Sequence, residues 1–258
     1  MMAELPTRQD WEQGPARCLS KGRAGNARVY ALAWQGREVV IKDFRKSPWW
    51  IRWTWGRWMV SHEYALLKRL EGVAGVPQGV FRSDAYAFGM ELLPGETLGD
   101  LNQRNTYIER GELQGEVTEL PVSFFRDLER LMCALHRRGV THLDARNAKN
   151  VLVMPGNKPA LIDFQSGVGL HCFQPRWLRK LLKLADLSSV YKHYFRYYYD
   201  ARTKQIPSVP GGFPPSRTLI FLGHLRLRKL WMLKGYSFLQ KRKTKDFEAA
   251  LVAQAPSH

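Results

Sequence analysis

Cysteine is scarce in this chain: Cys18, Cys133 and Cys172 are the only three among 258 residues, and none are paired at metal-ligand spacing. An odd, sparse set argues against a disulfide framework and fits a reducing compartment. Long apolar runs are missing too. No stretch reaches the ~18 apolar residues that a membrane-spanning helix requires. Met1 to Asp10 is polar and lacks the apolar core of a secretion signal. The expectation is a cytoplasmic protein, able to lie peripherally on the inner face of the cytoplasmic membrane. Internal repeats and low-complexity blocks are also absent.

Acidic residues are few: 23 Asp and Glu stand against 40 Lys and Arg, a formal charge of +17. The imbalance is local. From Leu170 to Lys245 there are 17 Lys or Arg and only two acids, Asp186 and Asp200, so the rest of the chain is nearly neutral. A field of that sign attracts phosphate, anionic lipid or nucleic acid, and says nothing about fold.

What is present suffices for a core: 45% of residues are hydrophobic and 12% aromatic. The length allows one large domain or two small lobes. Strand patterns come first and helical ones later. Ala27–Trp34 and Arg37–Phe44 read as a hairpin about the turn Gln35-Gly36, with the buried-type run Val39-Val40-Ile41. A helix with Ser61 as N-cap follows, carrying Tyr64, Leu66, Leu67 and Leu70. Short strands are expected near Gly79–Phe81 and Tyr86–Leu92. Ser123–Arg138 has a strong helical stripe of Phe124, Phe125, Leu128, Leu131, Met132 and Leu135, ending in Arg137, Arg138 and a C-capping Gly139. Val151–Met154 and Ala160–Ile162 flank the turn Pro155-Gly156-Asn157. Helices are expected beyond, interrupted by a Pro- and Gly-rich loop over Ile206–Pro215. A boundary near Leu93–Gly95 divides residues 1–93 from 94–258.

Five features could serve phosphoryl transfer, which needs a covered triphosphate, a metal and a base beside the acceptor. The turn Gly22-Arg23-Ala24-Gly25-Asn26-Ala27-Arg28-Val29 lets backbone amides approach phosphate, though most loops with two glycines are only loops. Lys42 ends an apolar strand and could hold phosphates, or simply snorkel to solvent. Glu63 could pair with Lys42, or be an ordinary helix-start glutamate. His142-Leu143-Asp144, followed by Asn147 and Asn150, offers a carboxylate base and an amide. Asp163, in Ile162-Asp163-Phe164-Gln165, ends an apolar strand, where a carboxylate is badly placed unless it meets a cation such as Mg²⁺.

Taken together, in this order and on these elements, Leu19 to Gly167 resembles the protein-kinase-like superfamily. Lys42 and Glu63 are 21 residues apart, Asn150 and Asp163 are 13 apart, and Met90-Glu91-Leu92-Leu93-Pro94-Gly95 looks like the family's hinge. The resemblance implies an α+β, bilobal fold with a small antiparallel-sheet N-lobe and a mainly helical C-lobe. It implies ATP and Mg²⁺ as cofactors. Asp144 would be the catalytic base, Lys42 the phosphate anchor braced by Glu63, and Asn150 and Asp163 the metal ligands. Gly22, Ala24, Gly25 and Val29 would cover the nucleotide, with Met90, Glu91, Leu93 and Leu152 around the adenine. His142 would brace the loop, which is also what a satisfied core histidine does.

The chain departs from the family pattern in places. Five residues rather than four separate Asp144 from Asn150, so Asp144 is displaced or the loop bulges. Ala24 and Ala27 replace glycines of the phosphate loop. The metal motif reads Asp-Phe-Gln, and no Ala-Pro-Glu segment follows Gly167. The compact layout is similar to lipopolysaccharide core-sugar kinases and to RIO-type kinases. The first reading is therefore an ATP-dependent kinase with an alcohol acceptor, on a lipid-linked sugar. A RIO-like protein serine/threonine kinase is the second reading, and a pseudokinase binding module the third.

Pro48–Val60 holds five tryptophans, Trp49, Trp50, Trp53, Trp55 and Trp58, among arginines. Trp177–Leu184 and Leu225–Trp231 repeat the mixture of aromatic, aliphatic and basic residues. Such stretches suit an anionic membrane interface, or pack between helix and sheet with the lysines solvated. Tyr191, Tyr194, Tyr197, Tyr198 and Tyr199, interleaved with Lys192, His193 and Arg196, could stack bases or form a buried aromatic face. No nucleic-acid module accompanies them, so nucleic acid is the disfavoured partner.

Overall fold

The structure, a computed structural model, describes residues 5–22, 27–49, 52–171 and 173–198. The chain is α+β. A short helix α1 (Arg8–Glu12) precedes strands β1 (Arg17–Ser20), β2 (Arg28–Trp34) and β3 (Arg37–Asp43). Helix α2 (Arg57–Arg69) leads to β4 (Phe81–Arg82) and β5 (Ala87–Glu91). These five strands form one sheet in the order β1-β2-β3-β5-β4, with every neighbouring pair antiparallel. The hairpin turn works as anticipated: Gln35 and Gly36 both take positive φ, matching the right-handed twist of the flanking strands.

Alternation along β3 decides where Lys42 goes. Val40 and Phe44 belong to the main core beneath α2, whereas Ile41 packs with Trp11, Tyr30 and Ala87 on the opposite face. Lys42 shares the face of Val40 and Phe44 and is buried. The snorkelling alternative is thereby excluded. The opposite face is closed by α1, whose Arg8 forks between Asp43 (2.6 Å) and Asp84 (2.7 Å).

Ser61 does not cap α2. The helix begins at Arg57, after a π-helical stretch Arg52–Gly56, and the Ser61 hydroxyl instead accepts from Arg82. The tryptophan segment supplies helical residues that the apolar period alone leaves outside.

Beyond residues 92–95 come β6 (Glu96–Thr97), α3 (Leu98–Glu109) and α4 (Val122–Arg137). They are followed by β7 (Val140–Thr141), β8 (Val151–Met154), β9 (Lys158–Leu161), β10 (Val168–Gly169) and α5 (Arg176–Tyr198). At the junction Gly95 has φ 141°, and a side chain there would meet the Val153 carbonyl at 2.5 Å, so glycine is required. The whole apolar stripe of α4 is buried. Tyr194, Tyr197 and Tyr198 of α5 pack around Phe125, with ring centroids 5.5–5.9 Å away. The tyrosines of this helix form a packed face, as one of the two sequence readings had it. Tyr199, Ile206–Pro215 and Leu225–Trp231 lie outside the described residues.

Candidate active site

Three charged side chains from three elements meet at one point. Lys42 Nζ on β3 donates to Glu63 Oε1 on α2 at 2.7 Å and to Asp163 Oδ1 at 2.8 Å. Glu63 Oε1 also accepts the backbone N–H of Phe164 at 3.0 Å, tying α2 to the segment that carries Asp163. Burial pulls the Lys42 pKa down, but the charges of Asp163 and Glu63 outweigh it and the net shift is upward. Burial pushes Asp163 up, but the charge of Lys42 and its hydrogen bond hold the carboxyl below its ordinary range. Glu63 is pushed up by burial, with Lys42 opposing and Asp163 reinforcing; its second oxygen, Oε2, is buried without a partner among the described residues.

A second cluster sits on the loop between β7 and β8. Asn150 Nδ2 donates to Asp144 Oδ2 at 2.8 Å and to the Asp144 carbonyl at 3.1 Å. The loop between Asp144 and Asn150 makes two successive turns. Asn147 N–H bonds the Asp144 carbonyl at 3.1 Å, Asn150 N–H bonds the Asn147 carbonyl at 2.9 Å, and Asn150 is thereby returned to Asp144. The two clusters interact electrically. Burial raises the Asp144 pKa, the His142 ring opposes this, and the charge of Asp163 raises it further. Asp144 and Asp163 thus lie within electrostatic reach of each other, and a carboxylate with a raised pKa is suited to accept a proton near neutral pH.

Backbone strain concentrates here. Four non-glycine residues among those described have positive φ. Gln35 and Asn157 lie in hairpin turns, and the other two, Leu143 (φ 59°) and Asp163 (φ 66°), adjoin or belong to the candidate site. Each left-handed residue costs about 1–3 kcal/mol and persists only where the surroundings hold it.

What holds Leu143 is Asp186 of α5, which sequence reading counted only as one of two acids in a basic tail. Its Oδ1 accepts the Leu143 N–H at 2.7 Å, and its Oδ2 accepts the His142 N–H at 2.8 Å and His136 Nε2 at 3.0 Å. Neighbouring residues of α5 extend the support. His193 Nε2 donates to the Ala145 carbonyl at 2.7 Å, and Lys192 Nζ donates to that of Arg146 at 2.9 Å. Burial, aided by the Lys192 charge, pulls His193 down to about 3, so it is neutral and bears its proton on Nε2. A signal was present in the sequence: Asp186 shares a helical stripe with Val190, His193 and Tyr194, all buried. His142 braces the loop as expected. Its Nε2 donates to the Ile162 carbonyl at 3.0 Å, Nδ1 accepts the Asp144 N–H at 3.3 Å, and the ring packs against Phe164.

The remaining candidates spread around these clusters. Val29 is paired with Lys42 across β2 and β3, Met90 is buried in β5, and Leu152 is buried in β8 opposite Thr97. The Glu91 N–H is taken by the Gln78 carbonyl at 2.9 Å, so only its C=O could meet a base; the Leu93 N–H has no partner among the described residues. Gly22 has φ 66° and donates its N–H to Ser20 Oγ at 3.3 Å. Ala24 and Gly25 lie outside the described residues.

Asp163 and Asn150 offer a carboxylate and an amide, hard oxygen donors of the kind Mg²⁺ takes. No group of three or more His, Cys, Asp or Glu among the described residues is arranged to hold a metal ion by itself. A magnesium ion shared with substrate phosphates needs only one or two protein ligands, so this donor set fits. Comparison with protein-family models and with curated proteins returned no match.

Proposed function

We propose that this chain is an ATP-dependent, Mg²⁺-requiring phosphotransferase with a bilobal, protein-kinase-like arrangement, acting on a hydroxyl of a membrane-linked glycan. One observation carries the reading. A buried lysine is clamped between Glu63 and Asp163, beside a loop that couples Asp144 to Asn150. The Lys42–Glu63 pair within this triad is buried, costly to desolvate and weakly justified by stability alone. It is readily justified if Lys42 is held ready for phosphate oxygens.

In this reading Glu63 fixes the ammonium of Lys42, which neutralises phosphate charge. Asp163 and Asn150 would hold Mg²⁺, which supplies charge neutralisation at the transferring phosphate. Asp144 orients the acceptor hydroxyl and takes its proton at Oδ1 or Oδ2, while Asn150 holds the carboxylate in place. Asp186, His136 and His193 position the loop and do not touch substrate. The basic, aromatic α5 favours an anionic acceptor at a membrane surface over a neutral soluble one.

The test is transfer of labelled phosphate from ATP to membrane glycolipid extract, wild type against Asp163→Asn. We expect Mg²⁺-dependent label in the glycolipid fraction and a loss of at least about a hundredfold in the variant, equal to about 3 kcal/mol of barrier. Equal labelling by both proteins would remove the enzyme reading.

A further inference from the structure

Large aromatic side chains stand in solvent at two places. Trp49, Trp53 and Trp58 are 72%, 59% and 50% exposed, and Phe173 and Trp177 are 80% and 68% exposed. Isolated exposed apolar residues are ordinary, but grouped tryptophans mark an interaction surface.

A chain of contacts leads from Trp58 in the first group toward Phe173 in the second. The Trp58 ring stacks on His62 with centroids 4.7 Å apart, and His62 Nε2 bonds the Gly167 carbonyl at 2.8 Å. From Gly167 the chain passes Gly169, where a side chain would begin 2.8 Å from the Arg69 guanidinium and 3.2 Å from the His171 ring. His171 in turn stacks on Phe173 at 5.1 Å. The aromatic rim therefore follows the segment leaving Asp163, from α2 to the start of α5.

Charge decides the occupant. Between Phe44 and His62 there are four basic residues, Arg45, Lys46, Arg52 and Arg57, and no acid; between Leu170 and Ala185 there are Arg176, Arg179, Lys180 and Lys183, and again no acid. Those last four side chains line a cleft of about 520 Å³ with His136 and Leu184, apart from the Lys42–Asp163 cluster. On α5, Trp177 and Lys180 are three residues apart and Arg176 and Lys180 four apart, so these side chains neighbour one another on the helix surface, with Phe173 just before its start. Tryptophan prefers the headgroup level, and a neighbouring Arg or Lys meets lipid phosphate. No helix among the described residues is long and apolar enough to cross a membrane, so contact would be from the surface.

We infer that this rim docks the chain onto an anionic phospholipid bilayer, with Trp49, Trp53, Trp58, Phe173 and Trp177 in the interface and Arg176, Arg179, Lys180 and Lys183 on the headgroups. Docking is independent of the transfer chemistry. Its geometric consequence is that the edge beside Asp163 faces the lipid.

The experiment is flotation of the full chain with vesicles, without nucleotide. Vesicles of phosphatidylcholine alone are compared with vesicles holding about 30 mol% phosphatidylglycerol, at about 0.05 M and about 1 M salt. Binding to the anionic vesicles only, lost at high salt, is expected. Arg176→Gln/Lys180→Gln should weaken partition about 25-fold, at roughly fivefold per basic residue. Trp49→Ser/Trp53→Ser/Trp177→Ser should weaken it at least about tenfold. Thermal melting reports whether each variant folds, and the charge pair decides if the tryptophan variant does not. Asp163→Asn should float like wild type, which separates this outcome from any failure of the transfer reading. Wild-type partition by both folded variants, equal binding to neutral vesicles, or capture of single-stranded oligonucleotide without vesicle binding would each overturn the proposal.

Discussion

Lys42→Met removes the one cation between two carboxylates. Glu63 Oε1 and Asp163 Oδ1 each touch Nζ, at 2.7 and 2.8 Å, so they stand no more than about 5.5 Å apart. At that separation two like charges repel by roughly 3 kcal/mol at an effective dielectric constant of about 20. Loss of one partner from a buried pair costs about 3–5 kcal/mol in general, which agrees. The side chains of Lys42 and Glu63 are nearly inaccessible, so solvent screens little on that side; Asp163 is 40% exposed and relaxes part of the repulsion. About 3 kcal/mol is therefore expected at pH ~8 by urea unfolding. The sign of the pH dependence follows from Glu63, whose folded pKa is already raised and rises further without Lys42. A carboxyl with a raised folded pKa exacts no penalty below its unfolded value, about 4.3, and exacts it progressively as pH rises through the folded value. The variant should thus lose most at pH ~8 and recover toward pH ~5. Lys42→Met/Glu63→Gln should regain most of the stability but none of the phosphate transfer. A single variant within ~0.5 kcal/mol of wild type at pH ~8, or a loss that ignores pH, would refute the triad as drawn.

Other outcomes follow from the same geometry. Because burial, with the charge of Asp163, raises the folded pKa of Asp144, ionising it at neutral pH costs stability. Asp144→Asn, which can still accept from Asn150, should melt at or above the wild-type temperature at pH ~7.5 while transfer is abolished. In the wild type, transfer should fall on acidification through a value above the ordinary carboxylate range, as a pH–rate profile would show. Asp186→Asn keeps one acceptor but turns a donor toward the amide of either His142 or Leu143. It should cost about 3 kcal/mol in urea unfolding and accelerate hydrogen exchange at the amide that loses its acceptor.

The clustering of the candidate residues was legible because each lies where a strong local pattern changes. Lys42 ends a β-branched run, Asp163 follows a short apolar strand, and Asp144 follows the long amphipathic helix α4. Alternation along β3 then forces Lys42 onto the face beneath α2, and the hairpin Val151–Leu161 carries Asn150 and Asp163 to one end. The start of α2 was not legible, because Trp and Arg at Arg52–Trp58 carry no apolar period and the π-helical turn shifts the phase. Strands of two residues such as β7 and β10 leave no alternation to read. Asp186 was hidden for a different reason. A sparse acid among cations reads as surface, and only the buried company of Val190, His193 and Tyr194 shows otherwise.

Helix α5 divides its labour around its circumference. Its inward side holds the loop backbone from His142 to Arg146 through Asp186, Lys192 and His193. The side chains of its first two turns present Trp177 and the cations that we assign to lipid. A rigid helix transmits position from one end to the other, so a membrane that orients residues 173–183 also orients the loop carrying Asp144. No conformational switch is needed for this coupling. In the proposed reading it acts by restricting the acceptor to the plane in which Asp144 already lies, which would be the entropic part of catalysis. The coupling predicts that Arg176→Gln/Lys180→Gln raises the KM for a bilayer-embedded acceptor while kcat at saturation is retained. Transfer to a detergent-dispersed acceptor should be unchanged. If kcat falls equally with both acceptors, these residues support the loop itself, and α5 serves the site only through its buried side.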